Sequence, residues 1–359
     1  MRRRFHDACL AGLLLLVGCG GGGSSAAEDP ASRTGAPTAA TFTNPIVAAA
    51  RPGGSADPSV VYQDGHYHYC RSVGNRAIGI ARARRLQDIG TAPLVTVWTA
   101  PPGTAWSDEV WAPELQYLRG RWYVYFAASD GRNATHRMYV LEGETQDAQG
   151  AYAFKGRVAA PGDAWAIDGV ALEHEHALYF VWSGLRDDAR PFPQVLYIAP
   201  MSDPWTVSGE RQEIAAPDQA WEQVGAALLE GPAVLQREGA LHLAYSASGS
   251  WTDDYALGLL TYRGGDILNA ASWVKSSLPS LAKRPEAGVW GPGHNAFVRS
   301  PDGREDWIVY HGIDVSGGGW EQRSVRAQPF GWSPDGRPDF GRPVGPGVPL
   351  AQPSGTPGS

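Results

Sequence analysis

DPSVVYQDGHYHYCRS, residues 57–72, decides the fold, because the chain repeats its pattern four more times. In each copy a polar or aromatic residue opens a run of alternating apolar residues, and a turn and a second apolar strand follow. The other copies are WAPELQYLRGRWYVYFAAS (111–129), DGVALEHEHALYFVWSG (168–184), EGPAVLQREGALHLAYSAS (230–248) and HNAFVRSPDGREDWIVYHG (294–312). Their first residues lie 54, 57, 62 and 64 positions apart, so the sequence predicts a repeated multi-strand unit.

This repeat predicts an all-β fold, a five-bladed β-propeller that spans residues 42–350. A period of this length is enough for a four-stranded blade and its loops. Within these limits we find no amphipathic helical pattern of ordinary length, and Gly, Pro, Asp and Asn turn signals separate the short alternating runs. We expect residues 328–343 to complete the last blade, and residues 42–47 to close the ring against a C-terminal blade.

The N-terminus has the pattern of an export signal. The run Arg2-Arg3-Arg4 precedes an apolar stretch, and the tetrad LVGC at residues 16–19 resembles a bacterial lipobox. The apolar stretch is too short for a membrane-spanning helix. We therefore predict a lipoprotein signal peptide at residues 1–18 and lipidation of Cys19. The exported protein would then be anchored to a bacterial membrane by lipid alone, on the outer-membrane, periplasmic or cell-surface side.

Low-complexity segments flank the predicted propeller. Residues 19–41 are mostly Gly, Ser, Ala, Thr and Pro and are expected to form a flexible tether, and residues 351–359 a disordered tail. Cys9 would leave with the signal peptide and Cys19 would carry the lipid. Cys70 would then be the sole thiol, so we expect a buried Cys70 and no intramolecular disulfide.

The charge of the chain excludes one class of partner. Its 359 residues have a formal net charge of −7, with no Lys/Arg run after residue 4. Binding to nucleic acid requires a basic face that neutralises phosphates. We therefore expect no nucleic-acid partner, and we expect the protein to act as a monomer.

The residues that open the five repeats are expected to converge. Equivalent positions of blades in a ring surround its axis, so one pocket should be lined by Asp57, Trp111, Asp168, Glu230 and His294. Three of the five are carboxylates, which are costly to bury without solvent or a purpose. Glycoside hydrolysis uses one carboxylic acid to protonate the leaving oxygen and one carboxylate to activate water or to attack. A third carboxylate nearby raises the pKa of the acid. Spacing leaves open which carboxylate has which role, and whether the acids instead cap strands or bind a stabilising ion.

Five short segments in register resemble the blade motifs of glycoside hydrolase family 43: ADPS at 56–59, WAPE at 111–114, AIDG at 166–169, EGP at 230–232 and GHN at 293–295. The resemblance covers essentially the whole predicted domain and implies a five-bladed propeller, an inverting mechanism and no required cofactor. It implies that Asp57 is the general base that activates water and that Glu230 is the general acid. Asp168 would raise the pKa of this acid and orient it.

The same resemblance suggests roles for further residues. Trp111 would form a wall or the floor of the sugar-binding subsite. His294 matches an axial histidine of the family, which makes it a substrate-binding residue and a candidate ligand of a central Ca or Na ion. Arg323 is favoured over Arg326 as the late arginine that binds sugar hydroxyls. Glu114 is expected to point away from the pocket and to be structural.

Four segments look most like a subgroup of exo-acting α-L-arabinofuranosidases: SASGSWTDDYALGLLTY, GPGHNAF, DWIVYHG and RAQPFGWSPDGRPDFGRPV. The implied function is release of α-L-arabinofuranose from arabinan or arabinose-containing plant polysaccharides, so the expected partner is a polysaccharide or oligosaccharide substrate. Leu229 stands where Asn is expected before the acid, and Ser250-Trp251 where Cys-Trp is usual. These departures leave the sugar open. A β-xylosidase, an endo-arabinanase of the same family and a non-catalytic surface glycan-binding lipoprotein remain alternatives.

Overall fold

A computed structural model describes residues 40–50, 55–162 and 164–358. These residues form five antiparallel sheets, one for each repeat, which confirms the predicted five-bladed β-propeller. The signal peptide, Cys19 and residues 19–39 of the predicted tether lie outside the described residues. The described helices are single 3₁₀ turns: Leu86–Asp88, Asn133–Thr135, Ala220–Glu222, Ala270–Ser272, Pro285–Ala287 and Gly319–Gln322. None of the helices in these ranges has the length and apolar character needed to cross a bilayer.

After a short N-terminal strand β1 (Thr41–Phe42), the strands follow one another outward in four blades, and in blade 3 the last two strands both pair with the third. Blade 1 contains β2 (Ser59–Gln63), β3 (His66–Val73), β4 (Ala77–Ala83) and β5 (Leu94–Thr99). Blade 2 contains β6 (Asp108–Leu118), β7 (Arg121–Ser129), β8 (Arg137–Gly143) and β9 (Tyr152–Arg157). Blade 3 contains β10 (Ala166–His174), β11 (Ala177–Leu185), β12 (Gln194–Asp203), β13 (Thr206–Val207) and β14 (Gln212–Ala215). Blade 4 contains β15 (Leu229–Arg237), β16 (Ala240–Ala247), β17 (Ala256–Tyr262) and β18 (Trp273–Lys275), and blade 5 contains β19 (Trp290–Arg299), β20 (Asp306–Ile313), β21 (Arg323–Trp332) and β22 (Pro338–Asp339). The last strand is β23 (Leu350–Ala351).

The first strand of each blade lies at the axis, where β2, β6, β10, β15 and β19 contact one another around the ring. Tight turns join first to second strands at Asp64-Gly65, Arg119-Gly120 and Glu238-Gly239, with both residues of each pair at positive φ. Such turns match the right-handed twist of a hairpin. They lie at the far end of the first strands, so the residues that open these strands gather at the other end.

The hydrophobic core is divided among the contacts between neighbouring blades. Tyr125 and Phe180 pack between blades 2 and 3, and Trp307 packs with Phe42 between blades 5 and 1. Cys70 is buried and free between blades 1 and 2, as expected for a small apolar residue. Each blade therefore supplies half of two such layers, and closure of the ring buries the apolar faces of the first and last blades against each other.

Both ends of the described chain close the ring. Strand β1 pairs with β23 in an antiparallel bridge that joins Thr41 to Ala351. The backbone of Val47 bonds to Val325 in β21, and the Asn44 side chain both donates to and accepts from the backbone of Ala327. The expectation that residues 42–47 close the ring against the last blade is therefore confirmed.

The expectation of a disordered C-terminal tail is wrong for residues 351–358. The Gln352 N–H donates to the Ala40 carbonyl at 3.0 Å, and the Ser354 N–H donates to Glu305 Oε2 at 3.0 Å. Thr356 is buried. The composition of this segment resembles a linker, but the N–H and hydroxyl of Ser354 bond to the turn at residues 300–305, a partner that composition alone does not reveal.

Candidate active site

Irregular backbone at the start of the inner strands turns their opening side chains toward the axis. Asp57, Asp168 and His294 have φ of 49°, 55° and 43°, and in blade 4 the left-handed residue is Gly231, directly after Glu230. In β10, β15 and β19 the pairing with the second strand shifts register here. Bulges and left-handed non-glycine residues are costly and concentrate at functional sites. Here they aim the side chains of the site.

The five opening side chains meet in one cavity of about 730 Å³, as their spacing predicts. It is lined by Asp57, Trp111, Asp168, Glu230 and His294. Its walls also include Arg71, Asn75, Ser250, Trp320 and Arg323. A cavity of this size accommodates a small ligand such as a sugar.

Asp57 is the carboxylate of the cavity that lies among positive charges. Its Oδ1 is 3.5 Å from Nδ1 of His294 and 3.6 Å from Nη1 of Arg323. Burial raises the pKa of Asp57, but the charges of His294 and Arg323 outweigh it and hold this pKa well below its ordinary value. Asp57 is therefore ionised throughout the neutral range and can accept a proton.

Asp168 and Glu230 are shifted in the opposite direction. Burial, with the nearby negative charge of Asp57, raises the pKa of Asp168 to about 7. Burial, with the negative charge of Asp168, raises the pKa of Glu230 to about 8. The Gly231 N–H donates to Asp168 Oδ2 at 3.0 Å, and the Tyr255 hydroxyl donates to Glu230 Oε1 at 2.8 Å. One cavity thus holds an ionised carboxylate and a carboxylic acid at neutral pH, the division that acid–base catalysis needs.

His294 has a carboxylate at each ring nitrogen. Nε2 donates to Glu114 Oε1 at 2.8 Å, and Nδ1 lies 3.5 Å from Asp57 Oδ1 and 3.8 Å from Asp168 Oδ2. Burial lowers the pKa of His294, but these carboxylates outweigh it and raise the pKa to about 10. The ring is therefore a cation at neutral pH. Glu114 is absent from the cavity lining, as expected, but it lies behind the cavity and accepts a hydrogen bond from His294.

The arrangement does not fit His294 as a metal ligand. A protonated ring has no lone pair for a metal, and Glu114 already occupies Nε2. Across the ranges that the structure describes, no group of three or more His, Cys, Asp or Glu residues could hold a metal ion.

The two candidate arginines are separated by the fold. Arg323 opens β21 and lines the cavity beside Asp57. Arg326 is fully buried inside blade 5, where its Nη2 lies 2.5 Å from Asp314 Oδ1. The geometry therefore favours Arg323 as the residue that reaches a ligand.

Trp111 also lines the cavity, where its ring is fixed from one side. It stacks on His136 with 3.8 Å between ring centroids. His136 is buried and its Nε2 lies 3.2 Å from the Glu109 carbonyl. A ring held in this way offers a rigid apolar surface, as a sugar-binding wall requires.

Three supporting residues were not identified from the sequence. Ser246 Oγ accepts a hydrogen bond from the His294 N–H at 2.8 Å. The rings of Tyr255 and His311 stack with an interplanar angle of 3°, and His311 Nδ1 accepts from the Asp57 N–H at 3.2 Å. Because Nδ1 is the acceptor, and burial lowers the pKa of His311 to about 4, this ring is neutral. None of the three opens a repeat; their only signal is their place in segments that resemble the family.

Comparison with known proteins agrees with this geometry. The profile of Glycosyl hydrolases family 43 matches residues 42–338. The chain is 39% identical over 362 residues to an extracellular exo-alpha-(1->5)-L-arabinofuranosidase of Streptomyces avermitilis. This alignment covers 97% of this chain and 72% of that protein. The chain is also 37% identical over 298 residues to alpha-L-arabinofuranosidase 43 of Humicola insolens. This second alignment covers 80% of this chain and 62% of that protein. The crystal structure of an alpha-L-arabinofuranosidase from Lactobacillus brevis superposes with a TM-score of 0.79 at 34% identity, over 86% of this chain and 98% of that one. With the propeller and its three axial carboxyls, these matches show that the chain belongs to glycosyl hydrolase family 43.

Proposed function

We propose that the protein is an inverting, exo-acting α-L-arabinofuranosidase that releases α-L-arabinofuranose from arabinan or arabinose-containing plant polysaccharides. The observation that carries the proposal is the placement of three carboxyls in one cavity: Asp57 lies beside the His294 and Arg323 cations, which lower its pKa, and Glu230 is buried beside the charge of Asp168, which raises its pKa to about 8. The names of the related proteins from Streptomyces avermitilis and Humicola insolens support the choice of sugar.

In this mechanism Asp57 and Glu230 act on opposite sides of the anomeric carbon. Asp57 removes a proton from a water molecule as the water attacks, and Glu230 gives its proton to the leaving oxygen. The attack opposite the leaving group inverts the anomeric configuration. Asp168 raises the pKa of Glu230 by its charge and so keeps the acid protonated.

Other residues of the cavity bind the sugar or stabilise the charges of the carboxylates. Trp111 packs on the apolar face of the sugar, and Arg323 donates hydrogen bonds to its hydroxyls while its charge stabilises ionised Asp57. His294 offsets the negative charge of Asp57 and Asp168 as an imidazolium. Every step is a proton transfer or an attack by water, so the reaction requires no cofactor.

The activity is tested with 4-nitrophenyl α-L-arabinofuranoside and 4-nitrophenyl β-D-xyloside, while proton NMR follows the product anomers. We expect release of arabinose that first appears as the β anomer. Arabinose released as the α anomer would contradict the inverting mechanism, and xylose release would favour the β-xylosidase alternative. Internal cleavage of arabinan would favour an endo-arabinanase, and binding of arabinan without any turnover would favour the glycan-binding alternative.

We also propose that the protein is exported, anchored through lipid on Cys19 and monomeric. The lipobox-like tetrad at residues 16–19 supports the anchor. In a bacterial host fed labelled palmitate, the wild type should be labelled and recovered with membranes, while Cys19→Ala should be neither. A wild type that carries no label would contradict the anchor.

A further inference from the structure

Two exposed tryptophans stand together at the rim of the cavity. All fourteen Trp side chains lie within the described residues, and only Trp251 and Trp320, with 39% and 50% exposure, are classed as exposed. Their rings meet edge to face, with 5.7 Å between centroids. Paired aromatic side chains are energetically unfavourable when exposed to water, and they indicate a surface that binds a ligand or a partner.

Hydrogen bonds and a close backbone contact hold the two tryptophan side chains in place. Trp320 Nε1 donates to Ser250 Oγ at 3.1 Å. Asp253 accepts from the Ser316 hydroxyl at 2.5 Å and from the Gly317 N–H at 2.8 Å, so it ties the loop of Trp251 to the loop of Trp320. The Trp251 ring lies against Gly249, where an added Cβ would come within 2.8 Å of it. The two rings are therefore fixed before any ligand binds, which lowers the entropic cost of binding.

Topology places this pair above the blade of the general acid and the next blade around the ring. Residues 248–255 join the second and third strands of blade 4, and residues 314–322 join those of blade 5. In an antiparallel blade this connection lies at the same end as the start of the first strand. The aromatic pair therefore stands above blades 4 and 5, whose first strands carry Glu230 and His294, whereas Trp111 belongs to blade 2. Trp320 and Ser250 line the same cavity as Glu230.

We propose that Trp320, backed by Trp251, forms the subsite for the sugar on the leaving-group side of the scissile bond. The leaving oxygen must lie beside Glu230 to receive its proton, so the sugar that departs with it lies under the loops of blades 4 and 5. The half-exposed indole of Trp320 offers an apolar face to the carbon-bound hydrogens of that sugar. The occupant is the second arabinofuranose of an α-linked chain, an assignment that rests on the proposed function.

The test compares arabinobiose with methyl α-L-arabinofuranoside. Both carry an alkyl leaving group that needs protonation by Glu230, but only arabinobiose has a sugar on the leaving side. We expect Trp320→Ala to lower kcat/KM for arabinobiose about tenfold, mainly through KM, and to leave the methyl glycoside within about twofold of wild type. Trp320→Phe, which keeps an aromatic face, should recover most of the loss.

Two controls keep the result specific. Leu278→Ala removes an exposed apolar side chain outside the cavity lining and should leave kcat/KM for both substrates unchanged. In a Glu230→Gln background, calorimetry should show that Trp320→Ala weakens arabinobiose binding. An equal fall for both substrates, or no fall for either, would overturn the subsite. If the wild type hydrolyses neither substrate, the proposed function and this subsite are both overturned. That result is distinct from an equal fall for both substrates and from no fall for either, which overturn the subsite alone.

Discussion

Each ionisable residue at the axis takes its charge state from the atoms nearest to it. Asp57 and Asp168 line one cavity and both lie near the His294 cation, yet Arg323 lies 3.6 Å from Asp57, whereas the Gly231 amide is the hydrogen-bond donor to Asp168. A full positive charge lowers the pKa of a buried carboxyl more than a neutral donor does. Two residues of one type in one cavity therefore have different pKa values, low for Asp57 and raised to about 7 for Asp168.

The activity should depend on pH through Asp57 and Glu230. Catalysis needs Asp57 ionised and Glu230 protonated, so kcat/KM should fall as pH rises through about 8, and on the acid side only below the ordinary carboxyl range. Asp168→Asn removes a negative charge beside Glu230 and lowers its pKa, so the alkaline limb should move toward neutral pH. At pH 7 kcat/KM should fall roughly tenfold or more. An alkaline limb that stays in place would contradict this role of Asp168.

The two catalytic roles should differ in their dependence on the leaving group. Glu230→Ala should lower kcat by roughly 10²–10⁴-fold for alkyl arabinofuranosides, which need protonation, and by much less for nitrophenyl arabinofuranosides. Asp57→Ala should lower both, because each needs an activated water. A series of aryl arabinofuranosides with graded leaving-group pKa values measures the difference. Wild-type activity in Asp57→Ala would refute the base assignment.

At the scale of the element, blades 2 to 5 share a first strand whose pairing with the second strand is interrupted by a register shift. Gly231 provides the left-handed residue of β15 with φ 55°, and an added Cβ would lie 3.0 Å from Nδ1 of His294. Its N–H also holds Asp168. A single backbone position thus positions the acid, its neighbouring carboxyl and the axial cation.

Gly231→Ala should therefore damage the site as well as the fold. We expect a loss of about 1–2 kcal/mol in the free energy of unfolding from the left-handed backbone, and a fall in kcat/KM of roughly tenfold or more from displacement of His294. Gly239→Ala is the matched control, since Gly239 has φ 84° with nothing within 4 Å of an added Cβ. It should lose similar stability, measured by chemical denaturation, and keep its activity. Equal activity in the two variants would contradict this role of Gly231.

The same strands show which features could be predicted from sequence. Apolar alternation and turns are local patterns, so the five repeats and their opening residues were predictable. The contact of Glu114 with His294 could not be predicted in this way. Strict alternation along a strand places residues three apart on opposite faces of the sheet, whereas in β6 the pairing shifts register between Trp111 and Glu114. Tyr255 bonds to the Glu230 carboxyl and His311 to the Asp57 N–H, contacts between segments separated in sequence that no local pattern contains.

At the scale of the whole molecule, stability should depend on the closure of the ring. Deletion of residues 350–358 removes the β1–β23 pairing and the buried Thr356. We expect a loss of about 2–4 kcal/mol and a fall in Tm of about 3–8 °C. The deleted residues lie outside the cavity lining, so kcat/KM at 25 °C should be unchanged. Deletion of residues 357–359 alone is the control and should leave Tm near that of the full chain; an unchanged Tm in the longer deletion would show that β23 does not hold the ring closed.

The hydrogen bond between Gln352 and Ala40 has a consequence for how the chain can be cut and rejoined. Since the two ends of the propeller are neighbours, a short linker between residues 40 and 352 would make the backbone a circle, and new termini could be opened in the exposed Gly264-Gly265 turn of blade 4. In such a circular permutant the two chain ends would meet in blade 4 and no longer beside blade 5, while every axial side chain stayed in place. For this propeller, the point at which the ring closes is a matter of connectivity, and the chemistry at its centre is independent of it.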